Sequence, residues 1–212
     1  MTLLGPATVT FRAADASARL GLVVDVEMTR QGLVRARAAV RNDGDDDYRV
    51  DELLVAFPVP GRAREVLDFA GRWTKERVPQ RQVLQVGTHW REGRHGRTGA
   101  DAAFVLHLGT PRFGFAQGEL WAVHTAWSGN HVHYAERTAY GDQVVGGGEL
   151  LLPAEGVLPP GAVYGGPWVY ANHGIGLDAV ARRFHRWLRA RPGYPSGPRP
   201  VTLNVWEAVY FD

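Results

Sequence analysis

The stretch Arg19–Val40, RLGLVVDVEMTRQGLVRARAAV, decides the fold class because its side chains alternate in character. From Leu20 to Met28 every second residue is apolar, whereas Arg19, Asp25 and Glu27 fall on the opposite face. Successive side chains of a strand point to opposite sides, so this is the pattern of a half-buried antiparallel strand. After a turn at 29–32 the alternation repeats up to Val40. The stretch therefore predicts two neighbouring strands joined by a short turn.

The pattern continues outward from this pair. The turn Asn42–Asp47 leads into a third predicted strand, Tyr48–Phe57, which gives a meander. Further short strands are predicted at Ala102–Leu108, Glu119–Trp127, His131–Tyr140, Leu150–Leu152 and Ala162–Tyr170. The irregular segment 58–98 is interpreted as long loops crossing a sheet. Many short strands with glycine-containing turns predict a mainly β protein, an antiparallel β-sandwich or barrel.

One stretch changes its period near the end of the chain. Apolar residues recur at helical spacing between Leu177 and Leu188, with arginines on the opposite side, which predicts one amphipathic helix. The segment Arg191–Pro200 has the composition of a linker, and Val201–Asp212 is predicted to be a strand. We therefore expect a sandwich over 1–175, a helix and linker over 176–198, and an opening strand at 199–212. A strand after a linker also suggests that the chain is truncated.

Composition excludes several classes of protein. The chain has 212 residues, of which 45% are hydrophobic and 22% charged, and it contains no cysteine. Hence a packed globular chain is expected, without disulfides or thiolate metal sites. No apolar run is long enough to cross a bilayer, and the N-terminus lacks the pattern of a secretory signal. The net charge is only +2 and Lys75 is the only lysine, which argues against a nucleic-acid partner.

The residues alone do not identify a catalytic site. His131 and His133 share one face of a predicted strand, but no third ligand stands at a recognisable spacing, so no metal site is predicted. Two polar loops place tryptophans among arginines. The first is GRWTKER (71–77), which contains Trp73, and the second is REGRHGRTGAD (91–101), which directly follows Trp90. Such loops fit a nucleic-acid surface, a sugar platform or an interface, of which an interface is favoured.

The end of the chain resembles a known family. The motif RPVTLNVWEAVYFD (199–212) is similar to the start of the catalytic barrel in glycoside hydrolase family 36 α-galactosidases, whose pattern is roughly R-P-x-L-x-N-x-W-E-A-x-Y-F-D. Three further blocks agree in order: the two polar loops, and GELWAVHTAWSGNH at 118–131. The helix with His185 also falls in the expected place. The resemblance extends from about Leu20 to the last residue.

The resemblance implies a fold and an activity. The chain would be the later, N-terminally incomplete part of the β-supersandwich domain plus the first strand of a truncated (β/α)8 barrel. Members of the family remove terminal α-D-galactosyl residues from raffinose and melibiose with retention of configuration. Their two catalytic aspartates lie on later barrel strands, so here they would fall beyond Asp212, and the fragment alone would be inactive. The alternative is a non-catalytic β-sandwich that binds carbohydrate or mediates oligomerisation.

The same resemblance implies roles for individual residues. Trp206 would line the galactose pocket, and Glu207 and Asp212 are weaker candidates for the same site. Trp73 is a further weak candidate, because bacterial members are often tetramers whose sandwich domains meet other subunits' barrels. A galactoside is the expected substrate, a homotetramer the expected assembly and the cytoplasm the expected location, with no cofactor, metal, nucleic acid or membrane involved.

Overall fold

The computed structural model describes residues 7–102, 104–195 and 197–209, and its regular structure is mostly strand. The strands are β1 (Ala7–Asp15), β2 (Leu20–Met28), β3 (Val34–Asn42), β4 (Tyr48–Arg49), β5 (Val55–Val59), β6 (Glu65–Arg72), β7 (Lys75–Val83), β8 (Gly87–Gly93), β9 (Leu106–Gly109), β10 (Glu119–Thr125), β11 (His131–Arg137), β12 (Gln143–Glu149), β13 (Val157–Leu158), β14 (Val163–Gly165) and β15 (Val169–Ile175). The helices are α1 (Leu177–Arg189) and α2 (Trp206–Val209). Neither described helix has the length and apolar character needed to cross a membrane.

The strands form antiparallel sheets. The largest has nine strands in the order β1-β2-β3-β15-β10-β9-β6-β7, with β14 also paired to β3. A second sheet has four strands in the order β5-β12-β11-β8, and β13 pairs with β4 in a small third sheet. This arrangement confirms the mainly β, antiparallel fold predicted from the alternating pattern.

The central strands of the nine-stranded sheet are covered on both faces. The four-stranded sheet packs on one face through buried apolar side chains: Val59, Val66, Leu106, Leu108, Val123, Ala135, Val145 and Val169. Helix α1 packs on the other face, where Val180 contacts a second buried cluster: Leu67, Phe113, Leu120 and Ala122. Val66 and Leu67 thus enter different clusters, because adjacent residues of a strand face opposite sides.

The decisive pair of strands forms as expected. β2 pairs with β3 over nine positions from Leu20 opposite Asn42 to Met28 opposite Val34. On the apolar face the β3 residues Ala36, Ala38 and Val40 are buried. On the other face Arg37 lies 3.0 Å from Asp25 and Arg35 lies 2.6 Å from Glu27. Opposite charges directly across a strand pair stabilise the register.

The segment 58–98 corrects the expectation of long loops, because it contains β6, β7 and β8. Residues 66–68 of β6 are buried one after another, since sheet and helix cover opposite faces of this strand. Nearly all of β7 is exposed on both sides. Neither β6 nor β7 has one solvated and one buried face, so neither shows the alternation of polar and apolar residues that predicts a strand.

Other boundaries also differ from those predicted. The segment Tyr48–Phe57 divides into β4 and β5, which pair with different sheets. The segment Ala162–Tyr170 likewise contributes to both β14 and β15. The strand expected at Leu150–Leu152 is replaced by β12, which ends at Glu149. Each difference arises where the chain changes partner, which the sequence pattern does not reveal.

The C-terminal segment differs most from its prediction. No strand is present over 199–209; residues 199–205 have no regular structure, and Trp206–Val209 forms the single helical turn α2. Val201 is 100% exposed and Leu203 is 82% exposed. A barrel strand takes its hydrogen bonds from neighbouring strands, and the described segment pairs with none. Residues 210–212 lie outside the described residues.

Candidate functional site

The first polar loop, 71–77, is the tip of the β6–β7 hairpin. Gly71 sits at a bulge where a Cβ atom would come within 2.5 Å of the Lys75 carbonyl oxygen and 2.8 Å of the Ala100 carbonyl oxygen. Thr74 follows in a left-handed conformation, φ 67°, and its backbone N–H donates to Glu76 Oε1 at 2.8 Å. These contacts fix the turn and leave the Trp73 side chain 83% exposed at its end.

The second polar loop lies beside the base of this tip. Its Ala100 carbonyl contacts Gly71, and the Arg77 guanidinium lies 5.6 Å from the ring centroid of Phe104, just after the loop. His124 of β10 holds Phe104 in turn, because its Nδ1 lies 2.7 Å from the Phe104 carbonyl oxygen. The two loops singled out by the sequence are therefore brought together at one end of the molecule.

Arg91 of the second loop points inward rather than outward. Its Nε donates to Asp68 Oδ2 at 2.6 Å, and His89 Nε2 lies 3.1 Å from the same oxygen. Asp68 is 2% exposed, and its burial would raise its pKa, but His89 and Arg91 hold the pKa below its usual value. Asp68 belongs to β6 and Arg91 to β8, so this cluster ties the two main sheets together. Sequence reasoning missed it, because Asp68 and His89 lie in the segment interpreted as loops.

Trp206 lies on a different element from Trp73. It begins α2, where its backbone N–H donates to Asn204 Oδ1 at 3.0 Å, and its side chain is 54% exposed. Glu207 follows on the same turn. Asp212 lies outside the described residues. The structure thus places the candidates Trp73 and Trp206 at a hairpin tip and in the C-terminal segment, respectively.

The histidine pair is part of the core. His131 and His133 are each 1% exposed, and His133 Nε2 accepts the Thr125 backbone N–H at 3.0 Å. Burial, followed by the neighbouring His131, lowers the pKa of His133 to about 3. Within 7–102, 104–195 and 197–209, no group of three or more potential ligands could hold a metal ion. The pair is therefore explained by packing between the sheets.

The carboxylates with shifted pKa values are engaged by cations or hydrogen-bond donors. Glu119 accepts Arg62 Nε at 2.5 Å and lies 2.9 Å from His173 Nε2, and these contacts lower its pKa to about 2. Hydrogen bonds and cationic neighbours likewise hold the pKa values of other carboxyl groups below their usual range: Asp15, Asp25, Asp45, Asp68 and Glu92. A group held ionised in this way is a poor general acid near neutral pH.

The chain matches known proteins in sequence. The family model of the glycosyl hydrolase family 36 N-terminal domain matches residues 4–158. An α-galactosidase of Escherichia coli is 38% identical over 208 residues, covering 97% of this chain and 29% of the relative. The α-galactosidase AgaA of Geobacillus stearothermophilus is 25% identical over 203 residues, covering 92% of this chain and 28% of the relative. The chain therefore spans less than a third of the length of these relatives.

Solved structures agree on the fold. A variant of the family 36 α-galactosidase AgaA from G. stearothermophilus, in complex with stachyose, superposes with a TM-score of 0.87 at 23% identity, over 98% of this chain and 30% of that chain. The α-galactosidase from Lactobacillus brevis gives a TM-score of 0.87 at 21% identity, over 98% of this chain and 29% of that chain. Since the family model matches well over half of the chain, the chain belongs to glycoside hydrolase family 36, where it corresponds to the N-terminal domain.

Proposed function

We propose that the chain forms the later part of the N-terminal sandwich and the entry to the catalytic barrel of a retaining α-galactosidase. The intact enzyme would act in the cytoplasm, without a metal or cofactor, on terminal α-D-galactosyl residues of raffinose- and melibiose-type oligosaccharides. The observation that carries this proposal is the 38% identity to the E. coli α-galactosidase over 97% of the chain. Structures of AgaA variants with stachyose and raffinose support the choice of substrate class.

We place the catalytic aspartates outside these 212 residues. A retaining glycosidase uses two carboxyl groups about 5–5.5 Å apart, one of which acts as an acid with a raised pKa. Asp68 and Glu119 have pKa values lowered by their cationic neighbours, which is the opposite of what such an acid needs. The chain also spans only 29% of the length of its E. coli relative, which leaves room for both groups elsewhere.

Trp206 is our candidate for contact with galactose. The family resemblance assigns its motif to the opening of the barrel, and active sites of such barrels lie at the carboxyl ends of the strands. An indole can cover the apolar face of a sugar ring. Glu207 and Asp212 stay weaker candidates for the same pocket.

Trp73 is proposed to reach a neighbouring subunit of a homotetramer. Its side chain is 83% exposed at the end of a hairpin whose turn is fixed by Gly71 and Thr74. A large aromatic residue exposed to solvent is typical of a contact residue, because aromatic side chains are enriched at protein interfaces. The exposed tip could thus complete a pocket on another subunit.

The proposal is tested by assaying the purified chain with p-nitrophenyl α-D-galactopyranoside. No turnover above the uncatalysed rate is expected, because both catalytic aspartates are proposed to lie outside the chain. Hydrolysis that copurifies with the chain and disappears when one of its own aspartates is changed to asparagine would contradict the proposal.

An association module is the second candidate function, favoured by an exposed apolar face. Val9 and Phe11 of β1 lie opposite Val26 and Val24 of β2, and Val9 and Phe11 are 51% and 59% exposed. β1 is also the edge of the nine-stranded sheet, and free edges can pair with other chains. Sedimentation velocity tests this function: a self-association that Phe11→Lys abolishes would support it, whereas a monomer at all concentrations would reject it.

A further inference from the structure

The outer face of the four-stranded sheet carries an aromatic pair. In β11, His133 and Ala135 point into the sandwich, so the intervening Tyr134 points away from it. Tyr134 lies opposite Trp90 of β8 on one side and opposite Gly146 of β12 on the other. Directly opposed residues of antiparallel strands share a face, so both aromatic rings stand on the solvent side of the sheet.

Gly146 makes room for the tyrosine. A Cβ atom on this residue would lie 2.8 Å from Tyr134 Cε1 and 3.0 Å from Cζ, so the phenol ring rests over the glycine. Trp90 stacks against Tyr134 with ring centroids 5.9 Å apart and an interplanar angle of 29°. Trp90 is 41% exposed. The result is a stacked aromatic surface at the edge of the sheet.

Charged groups border this surface. The Trp90 Nε1–H donates to Glu92 Oε2 at 3.2 Å, and Arg94 Nε donates to Glu92 Oε1 at 2.5 Å. The Arg94 and Glu92 side chains are 54% and 32% exposed, so both remain accessible to a ligand. Together, Trp90, Tyr134, Glu92 and Arg94 form what we name the Trp90 platform.

Trp168 and Trp187 lack this combination. Trp168 is covered by guanidinium groups, with Arg35 at 4.3 Å and Arg37 at 4.7 Å from its ring centroid. Trp187 packs edge to face on the buried Tyr170 at 4.8 Å, between helix and sheet. The Trp90 platform instead places a partly exposed indole beside an accessible carboxylate and guanidinium.

We propose that the Trp90 platform binds a pyranose ring of an oligosaccharide. A pyranose presents an apolar C–H face, which can lie on an indole, and a rim of hydroxyl groups, which can donate to Glu92 and accept from Arg94. The use of galactosides as first probes rests on the proposed function, whereas the site itself does not.

The test is a titration of the full chain followed by the indole N–H signals in ¹H–¹⁵N spectra. The probes are raffinose, methyl α-D-glucopyranoside and the acyclic polyol mannitol, which offers hydroxyl groups without a ring face. We expect at least one pyranoside to give a saturating shift of the Trp90 signal, with a dissociation constant on the order of millimolar. Mannitol should give none.

Two variants distinguish stacking on Trp90 from sugar binding elsewhere on the chain. Trp90→Ala removes the stacking surface and should weaken binding at least about tenfold, which is measured on the backbone amide signals because this variant has no Trp90 indole signal. Trp127→Ala is the matched control, since Trp127 is also 41% exposed but lies between β10 and β11. Glu92→Gln is a second, nearly isosteric variant, and it should also weaken binding. It keeps the proposal testable if Trp90→Ala does not fold.

The outcomes either support or overturn the platform. Saturating binding of either pyranoside that is lost in Trp90→Ala or Glu92→Gln supports it. The platform is overturned if the Trp90 signal shows no saturating shift up to roughly 50 mM sugar, or if it responds equally to mannitol. It is also overturned if the Trp90 signal changes only with protein concentration, which is the behaviour expected of a protein interface. None of these results bears on hydrolysis, so failure here is distinguishable from failure of the proposed function.

Discussion

At the scale of single residues, Asp68 is a buried polar group that joins the two main sheets. Its side chain is 4% exposed and contacts Arg91 and His89 from the opposite sheet. A buried carboxylate of this kind is stable only while its partners remain, because the pair has lost its hydration. Removing one partner leaves an uncompensated charge in the interior.

Asp68→Asn should therefore destabilise the chain by about 3 kcal/mol, because Arg91 would keep its charge without a carboxylate. Urea unfolding followed by circular dichroism measures the change. The control is Asp45→Asn, since Asp45 pairs with Arg19 at the surface with 82% of its side chain exposed, and it should unfold at the same urea concentration as the parent. Equal stability of the two variants would contradict the role given to Asp68.

Trp206 allows a prediction for catalysis. In a chimera where this chain replaces the matching 29% of the E. coli α-galactosidase, Trp206→Ala should lower kcat/KM about tenfold to a hundredfold, because a sugar contact is lost. Steady-state hydrolysis of p-nitrophenyl α-D-galactopyranoside measures it. Trp127→Ala should leave the rate within a factor of two in the same chimera, as Trp127 lies in the sandwich. Matching losses in both variants would remove Trp206 from the pocket.

Only some of the residues discussed above can be singled out from the sequence. Trp73 stands out because a large aromatic residue lies in a polar loop, and Trp206 because its motif resembles a family pattern. Asp68, His89 and Tyr134 give no such signal. Their roles depend on which strands lie opposite each other, and pairing across sheets is not encoded in local periodicity.

At the scale of elements, β12 shows how a strand can lack a predictive pattern. Its residues 146–148 are glycines, which pack weakly and are depleted in strands. Close approach explains them: a Cβ atom on Gly147 would lie 2.4 Å from the Val132 carbonyl oxygen and 2.5 Å from Thr125 Oγ1. The glycines therefore allow β10, β11 and β12 to pack closely.

Gly147→Ala should destabilise the chain by about 1–3 kcal/mol, because the added methyl group has no space. Thermal and urea unfolding measure the loss. Gly165→Ala is the matched control: Gly165 lies in the strand β14, and a Cβ atom there would meet nothing within 4 Å. It should retain full stability. If Gly147→Ala is as stable as this control, close packing does not explain the glycines.

The elements that could be predicted from the sequence are those with one solvated face and one buried face. β3 and α1 each show a clear period, because one side packs on the core and the other is solvated. β6 is buried on both faces and β7 is exposed on both, so neither has a period to find. The alternation in the C-terminal segment predicts a strand, but no partner for it is among the described strands.

At the scale of the whole molecule, buried histidines link stability to pH. Burial lowers the pKa of His107 from 6.5 to about 4 and that of His133 from 6.5 to about 3. Below pH 6.5 the unfolded chain binds protons that the folded chain excludes, so stability falls with decreasing pH until the folded values are reached. The lowered pKa of Asp68 adds to this loss only below its unfolded value of 3.8.

The free energy of unfolding should thus decrease between pH 6.5 and 5, by up to about 1.4 kcal/mol per pH unit for each histidine. Urea titrations at pH 7.5, 6 and 5 measure the slope. His133→Gln should reduce this slope, because glutamine cannot take up a proton in this range. His185→Gln, at an exposed position on α1, should leave the slope unchanged. A stability that is constant from pH 7.5 to 5 would refute the linkage.

The most direct measurement is hydrolysis of p-nitrophenyl α-D-galactopyranoside by the chimera beside the chain alone. If these residues are the non-catalytic sandwich of an α-galactosidase, a chimera shown to be folded by circular dichroism and gel filtration should hydrolyse the substrate, while the 212-residue chain should not. A folded chimera without activity, or a chain that is active through its own aspartates, would contradict the account.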